Sequence, residues 1–599
     1  MLLSDLAALE TAGLITLVNS QPELEYIFRH TLIQEVAYDS LLKSDRRELH
    51  QAVAEALERA YPQQLGELAP VLGRHYDEAG NNLRALKYLV MAGDEAASVY
   101  ANSEAVAYYT RSLEIARLMQ TASPAKSEPD DAGELFLRLY QNRGRALELS
   151  HRYDDADQNY VDMIALARER GDRSLELNAL IARTTIHATP SSLFNPQVVD
   201  DLITAALDLA TELGDQTAVS KVLWNLLLFN FFNNRPAAAR EFGERSLAIA
   251  RDLNLTVQLA YTLNDLGNLV YAAAGQFEEA LKAQEEASAI WQATGNTPML
   301  ADSRTNLAFV YLNMGDFEKG KAEASRAYQI SQEIGNLWGQ AYSLGMLGYF
   351  HKELGEVDQA IHDLQAADLL AQDSFVGGRA IALTVLADLY GNLGLFDRGL
   401  EVAGMAAYQA ENHTPVFLAQ ALSIMALLYI WQGNLNIAEE KLTLARANAQ
   451  DETNYIMAPM LPLVTLELQL HQGSYPQVVD QADAYVNELR QHHVGLLLPL
   501  GLSVAGKVRL FTGQLQAARK CFVEAVSVAE RSQTRHSWWR ALSNLAAVEE
   551  KLGDREAAQG CRRQAAQVID YIADHISSEE LRAHFLNSPE VLTLHTPAV

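Results

Sequence analysis

Residues 305–327 run TNLAFVYLNMGDFEKGKAEASRA, and their spacing decides the architecture. Leu307, Ala308 and Tyr311 fall at three- and four-residue spacing on one helical face. Gly315 follows as a residue that tolerates positive φ, and Phe317, Gly320 and Ala327 share a face of the segment after it. This is one helix, a tight turn and a second helix.

Working outward, the turn glycine recurs. Gly275, Gly315, Gly355, Gly394, Gly433, Gly473, Gly513 and Gly553 stand 40, 40, 39, 39, 40, 40 and 40 residues apart, which is a repeat. A second mark lies between some of them, at Gly295-Asn296 and Gly335-Asn336, with Gly171-Asp172 and Gly214-Asp215 similar upstream. Each half-unit of about 20 residues fits one helix plus a turn.

Small residues keep the same register. Five after each turn stand Ala280, Gly320, Ala360, Gly399, Ala438, Val478, Ala518 and Ala558; twelve after stand Ala287, Ala327, Ala367, Ala406, Ala445, Tyr485, Ala525 and Ala565. Helices that approach to roughly 8 to 10 Å exclude large side chains at their crossing points, so size rather than polarity repeats.

Leu307-Ala308, Tyr311, Gly315, Phe317, Gly320, Ala324 and Ala327 resemble the large and small consensus positions of the tetratricopeptide repeat. Leu386-Ala387 with Tyr390, and Met425-Ala426 with Tyr429, repeat its first half. The unit is about 40 rather than 34 residues long. Longer units of this kind resemble the sensor arms of bacterial signalling ATPases, including maltose-type transcription activators. The resemblance implies an all-α fold, a right-handed α-α superhelix whose first helices line a groove.

Upstream the pattern weakens but persists, with Gly80 and Ala85, Asn102 and Ala107, His151 and Ala156, and Asn234 and Ala239 as turn and small residue. Residues 186–197 fit no unit well, and Thr121–Asp131 reads as a surface loop. About a dozen hairpins are expected over 65–576.

The first 60 residues do not obey the repeat. A helix over Leu2–Glu10 stops at Gly13, and Leu14–Val18 and Glu25–Arg29 read as strands around Asn19-Ser20-Gln21-Pro22. This order is similar to the last part of a winged-helix domain. The run Phe28-Arg29-His30-Thr31-Leu32-Ile33-Gln34-Glu35-Val36-Ala37-Tyr38 resembles the stretch joining such a domain to the repeat arm in signalling ATPases and in ATPases fused to nucleotide cyclases. There the resemblance implies that Arg29 and His30 belong to an interdomain, nucleotide-sensing relic; the alternative is that His30 caps or packs the following helix. Leu2, Leu3, Leu6, Ile15 and Leu17 form an expected apolar face. Its expected cover is a separate nucleotide-binding ATPase or cyclase domain, from a split gene or a longer chain. At the other end, Ser577-Ser578-Glu579-Glu580 starts a helix that caps the last hairpin, and Pro589 onward is expected to fray.

Composition bounds the chemistry. With 76 acidic against 47 basic residues, the net charge of −29 repels phosphate backbones and acidic membrane surfaces, so no nucleic acid and no membrane partner is expected. No uncharged apolar run of 18 residues occurs, and the location expected is cytoplasmic. Cys521 and Cys561 occupy equivalent positions in adjacent hairpins, too far apart for a disulfide and best read as core residues. Gly315-Asp316-Phe317-Glu318-Lys319-Gly320-Lys321-Ala322 imitates a phosphate loop but has Ala where a hydroxyl must reach magnesium, and no strand precedes it. The neighbours His492 and His493 point to different helix faces. No HExxH and no serine elbow occurs, so neither an enzyme, a metal nor a cofactor is expected.

Function is therefore expected on the groove. Asn313, Tyr349, Asp388, Asn392, Trp431 and Lys507 are its candidate lining as a cluster, with Trp431 equally able to pack between hairpins. Two functions follow: a scaffold that binds a protein or peptide, or the sensor arm of a nucleotide-dependent switch.

Overall fold

The computed structural model describes residues 2–595 apart from 20–23, 123–128, 190, 192 and 450–457. Two compact units divide the chain, Met1–Ser150 and His151–Val599. The fold is all-α, a tetratricopeptide-type solenoid; among the described residues the one sheet is a two-stranded hairpin.

Each turn closes by a backbone pattern rather than by a side chain. The eight glycines from Gly275 to Gly553 have φ between 71° and 88°. At Gly315 this lets its N–H reach the Leu312 carbonyl at 3.1 Å while the Asp316 N–H reaches that of Tyr311 at 2.9 Å, satisfying two orphan carbonyls of the helix end. Asp316 then caps the next helix, Phe317–Glu333, by accepting the Lys319 N–H.

Upstream, residues other than glycine take this conformation, His151 and Asn234 among them. The expected turn residue Asn102 does not: it opens the helix Asn102–Ala122, and Tyr100, with φ of 59°, makes the turn. The Ala101 N–H reaches the Ala96 carbonyl at 2.9 Å there, so the backbone pattern is kept although a tyrosine must adopt the left-handed region. Counting from Tyr100 restores the register, since Ala105 and Ser112, five and twelve residues on, are fully buried.

The small positions are where helices meet. A Cβ on Gly320 would lie 2.3 Å from the Phe350 ring and 3.2 Å from the Ala308 carbonyl oxygen. Phe350 is fully buried and has nowhere to go. Within the second unit, the first helices Thr297–Met314, Leu337–Glu353, Val376–Asn392, Leu418–Trp431, Leu461–His471, Leu498–Phe511 and Arg535–Leu552 touch in succession. The second helices between them form the other layer.

Residues 186–197 hold the end of the helix Arg173–Ala188 and the start of Pro196–Leu213, whose first N–H groups Asn195 caps. The expected loop at 121–131 lies partly outside the described residues; what is described is helical, to Ala122 and again from Pro129.

At the amino end, the helix Leu2–Thr11 precedes strands Ile15–Asn19 and Glu25–Phe28, paired antiparallel with Ile15 opposite Phe28. The turn at 20–23 lies outside the described residues. The expected apolar face is corrected: Ile15 is buried because the strand turns it toward the preceding helix, and Leu6 and Leu17 are half-buried. The side chains of Leu2 and Leu3 lie outside the described residues. The exposed apolar residues instead include Leu9, Val18, Leu24, Ile27, Phe28, Leu32 and Val36.

At the carboxyl end, Ser578 caps the helix Glu579–Leu586. Residues expected to fray form a further helix, Pro589–His595, because Val591 is buried and Glu590 finds a cation.

Gly320→Ala is expected to destabilise the array by about 1 to 3 kcal/mol through overpacking against Phe350. Gly345→Ala, in the neighbouring helix with open space at its Cβ, is expected to be neutral or stabilising. Urea unfolding, with hydrogen exchange read over 297–353, separates the two.

Candidate functional site

Five of the six expected groove residues lie on a polar seam of the first helices. Lys352 stands at its head, almost fully buried, paired with Asp388 and, at 2.7 Å, with Glu353. Burial presses its ammonium to lose the proton, but the charges of Asp388 and Glu353 prevail and hold it well above the usual lysine range. Its Nζ also sits 4.7 Å from the Tyr349 ring centre. Burial pushes the Tyr349 hydroxyl up to about 12, against the pull of Lys352.

Asn392 extends the seam by one turn. Its Nδ2 donates to the Asp388 carbonyl at 2.9 Å, and its Oδ1 accepts from Arg540 Nη1 at 2.7 Å, across 148 residues of sequence. The Arg540 guanidinium lies over two aromatic rings, 5.6 Å from Trp431 and 4.7 Å from Trp539, and its Nε donates to Glu590 at 3.0 Å. Lys507 is paired with Glu467 at 2.8 Å and adds to the positive field at Glu590. Arg540 is the main reason that the Glu590 carboxyl is held below its ordinary range.

Asn313 does not join them. It is buried, its Nδ2 donates to the Phe309 carbonyl, and its own carbonyl accepts the Leu496 N–H at 3.1 Å. Its work is to tie one helix end to a distant turn.

Sequence reasoning missed Lys352, His536, Trp539, Arg540 and Glu590. The expected groove residues Tyr349, Asp388 and Lys507 stand six, and Asn392 and Trp431 two, before the turn glycine. Arg540 stands thirteen before Gly553, as Asp302 and Tyr342 stand thirteen before Gly315 and Gly355. That register was a readable signal.

A second seam, of opposite character, lies in the earlier hairpins. Trp224 Nε1 donates to Asp265 at 2.6 Å, and Asn264 Nδ2 donates to Asp302 at 2.7 Å and to Asp265 at 3.2 Å. Ser303 and Asn306 donate to the Asn264 side-chain oxygen, and Tyr342 donates to Asn306 at 2.9 Å. Burial, with the charge of Asp302 added, pushes the Asp265 carboxyl up to about 7; burial pushes Asp302 up to about 6. Beside them the helix Thr256–Asp265 widens into a π-helix, Leu266–Ala272.

His30 stands at the N-cap of the helix Thr31–Asp39, with its carbonyl accepting the Ile33 N–H at 3.0 Å, while its exposed side chain makes no capping hydrogen bond. Arg29 bridges the hairpin by donating to Thr16 Oγ1 at 2.8 Å. The phosphate-loop lookalike is a turn, with Lys319 paired to Asp316 at 2.7 Å. Cys521 and Cys561 are free thiols whose pKa burial raises. Among the described residues no group of His, Cys, Asp and Glu is placed to hold a metal, and no helix is long and apolar enough to cross a membrane.

Stacked hairpins with a polar inner seam define a tetratricopeptide-type α-solenoid. Residues 258–333, which contain both carboxylates of the acidic seam, match the tetratricopeptide-repeat family model. An uncharacterised protein of Rhizobium meliloti (strain 1021) is 28% identical over 160 residues, 26% of this chain and 15% of that protein, so the match spans a small part of the relative's length. Among solved structures the chain is similar to a Rap protein complexed with competence and sporulation factor, at 14% identity and a TM-score of 0.41 over 67% of this chain and 99% of that one. It is also similar to the APC/C hetero-tetramer Cut9–Hcn1, at 14% identity and a TM-score of 0.43 over 92% and 94%.

The acidic seam predicts an inverted pH dependence. A carboxyl whose native pKa lies above its unfolded value of 3.8 stabilises the fold while protonated, and that contribution is lost as pH rises through about 6 for Asp302 and about 7 for Asp265. Asp302→Asn, which keeps an acceptor for Asn264, is expected to be more stable than the parent at pH 8 by on the order of 1 to 3 kcal/mol and nearly equal at pH 4. Urea denaturation of both proteins across that range checks it.

Proposed function

We propose that the chain is a protein-interaction scaffold that takes a protein or peptide along the first-helix wall of its second unit. The observation that carries this is the division of labour between the layers. Second helices bury small alanines and glycines at their crossing points, whereas the first helices concentrate Lys352, Asp388, Asn392, Trp431, Lys507 and Arg540 on one linked surface. Packing alone does not call for such a set, because buried ion pairs add little net stability over well-packed apolar residues. An array that displays aromatic and paired charged groups along a repeated surface has the ingredients of peptide recognition: anchors, orienting hydrogen bonds and charge. No catalytic step is assigned.

A second reading, the regulatory arm of a nucleotide-dependent switch, is favoured by one feature of the first unit. The helix Thr31–Asp39 has no buried residue, and Leu32 and Val36 are 69% and 62% exposed beside the exposed Phe28, Arg29 and His30. An apolar helix face beside a cation suits a folded partner such as a separate ATPase or cyclase domain.

Affinity capture of the full chain from native extract, with cross-linking mass spectrometry, tests both. The first reading expects cross-links to the 376–552 wall and at least a tenfold loss of capture in Trp431→Ala/Lys507→Gln. Capture that ignores those changes but disappears in Leu32→Asp/Val36→Asp supports the second reading instead. Capture insensitive to both sets defeats both.

A further inference from the structure

We propose that the wall formed by the helices Val376–Asn392, Leu418–Trp431 and Arg535–Leu552 is a binding site for a short amphipathic helix bearing a side-chain carboxylate, and that the chain's own C-terminal pair, Glu579–Leu586 and Pro589–His595, occupies it as an internal competitor. The inference deepens the scaffold reading and rests on it.

Three observations carry it. First, the pair reaches back to the wall. His584 Nε2 meets the Gly394 carbonyl at 3.1 Å across 190 residues, and Glu590 takes the Nε–H of Arg540 while Asn392 takes the Nη1–H. The guanidinium is thus presented by two indoles and an amide to one carboxylate.

Second, the attachment is slight. The Glu590 side chain is 58% exposed within its ion pair. Helices of eight and seven residues do not persist without a surface to dock on; each has one fully buried side chain, Phe585 and Val591, with Leu581, Leu586 and Leu594 only partly buried beside them. The chain just before them is fastened independently: the Ser577 N–H donates to Asp358 at 2.7 Å, and the Asp358 N–H donates to the His575 carbonyl at 3.1 Å. The pair can leave while the helix Arg555–Asp574 stays in place.

Third, the surface under the pair has unmet polar capacity. His536 is 4% exposed with neither ring nitrogen hydrogen-bonded, and Trp539, one turn on, is 2% exposed with its Nε1–H unpaired. Phe585 lies edge-on over His536 at 6.4 Å, and Arg540 lies over Trp539. Unpaired buried groups oppose the closed arrangement. A competing helix with a polar group in place of Phe585, next to its carboxylate, satisfies donors that the internal pair leaves idle.

The test uses the full chain and a fluorescent peptide of residues 577–595 as the probe. Glu590→Lys/Val591→Asp removes the ion pair and the buried anchor of the last helix. The expected result is at least tenfold faster hydrogen exchange in 579–595 with no change in 535–574, and at least tenfold tighter binding of the probe, read by anisotropy, than in the parent. Adding Arg540→Glu abolishes that binding, and an E590K probe recovers it. Amidating the probe's C-terminus changes nothing if the side-chain carboxylate is the recognised group; a tenfold loss on amidation overturns that part. A released pair with no gain in probe binding overturns the inference. The scaffold reading survives that outcome if native partners still depend on Trp431 and Lys507, and falls separately if they do not.

Discussion

The structure depends on how closely two helices of a hairpin approach. Five residues after the turn at Gly315 the second helix runs so close to the first helices beside it that no side chain fits: Gly320 lies against the Ala308 carbonyl of its own hairpin and the Phe350 ring of the next. Twelve residues after the turn, Ala327, Ala406 and Ala445 are fully buried. Val478 and Tyr485 occupy these two positions in one repeat and are still buried, so larger residues are accepted where the neighbour yields. Everything else in the repeat is arranged around these two contacts.

One consequence is that turn glycines acquire a second use. Gly315 not only ends a helix but lies against the backbone of Gly495, where a Cβ on Gly495 would sit 2.2 Å from the Met314 carbonyl oxygen. Gly355 packs on Ile572 and Arg535, and Asn234 Nδ2 donates to the Asn448 carbonyl at 2.7 Å across 214 residues. Hairpin turns thus touch repeats far along the chain within the second unit. Asn313 belongs to this set of ties, which is why it is absent from the polar seam.

The repeat was legible because its signal is local and redundant. Gly315, Gly355 and their equivalents announce the turn, and Ala280 or Ala518 announces the crossing, without reference to any distant residue. Tyr100 was not legible, because a tyrosine held at positive φ by its neighbours' hydrogen bonds leaves no compositional trace. The candidate site was legible in half. Asp388, Asn392, Trp431 and Lys507 follow from register, but Arg540 reaches Asn392 across 148 residues and Glu590 reaches Arg540 across 50, distances set by how the array closes rather than by its period. The helix at Pro589–His595 is the same case: its 23-residue context reads as a tail until the wall it docks on is known.

The polar seams have a spacing of their own, and it is that of the repeat. Trp224 to Asp265, Asn264 to Asp302, Asn268 to Asn306, Thr305 to Ser343, Lys352 to Asp388 and Glu467 to Lys507 pair residues 41, 38, 38, 38, 36 and 40 apart. Each bond therefore joins one hairpin to the next and none lies within a hairpin. In a quasi-one-dimensional array, stability is a sum of repeat and interface contributions, so these bonds sit in the interface part. A change at one partner of such a bond, as at Asp302 or Lys352, acts directly on how two hairpins hold each other. On the scaffold reading proposed above, recognition on this wall and cohesion of the array draw on the same side chains, so that binding at one hairpin is felt first at its neighbours.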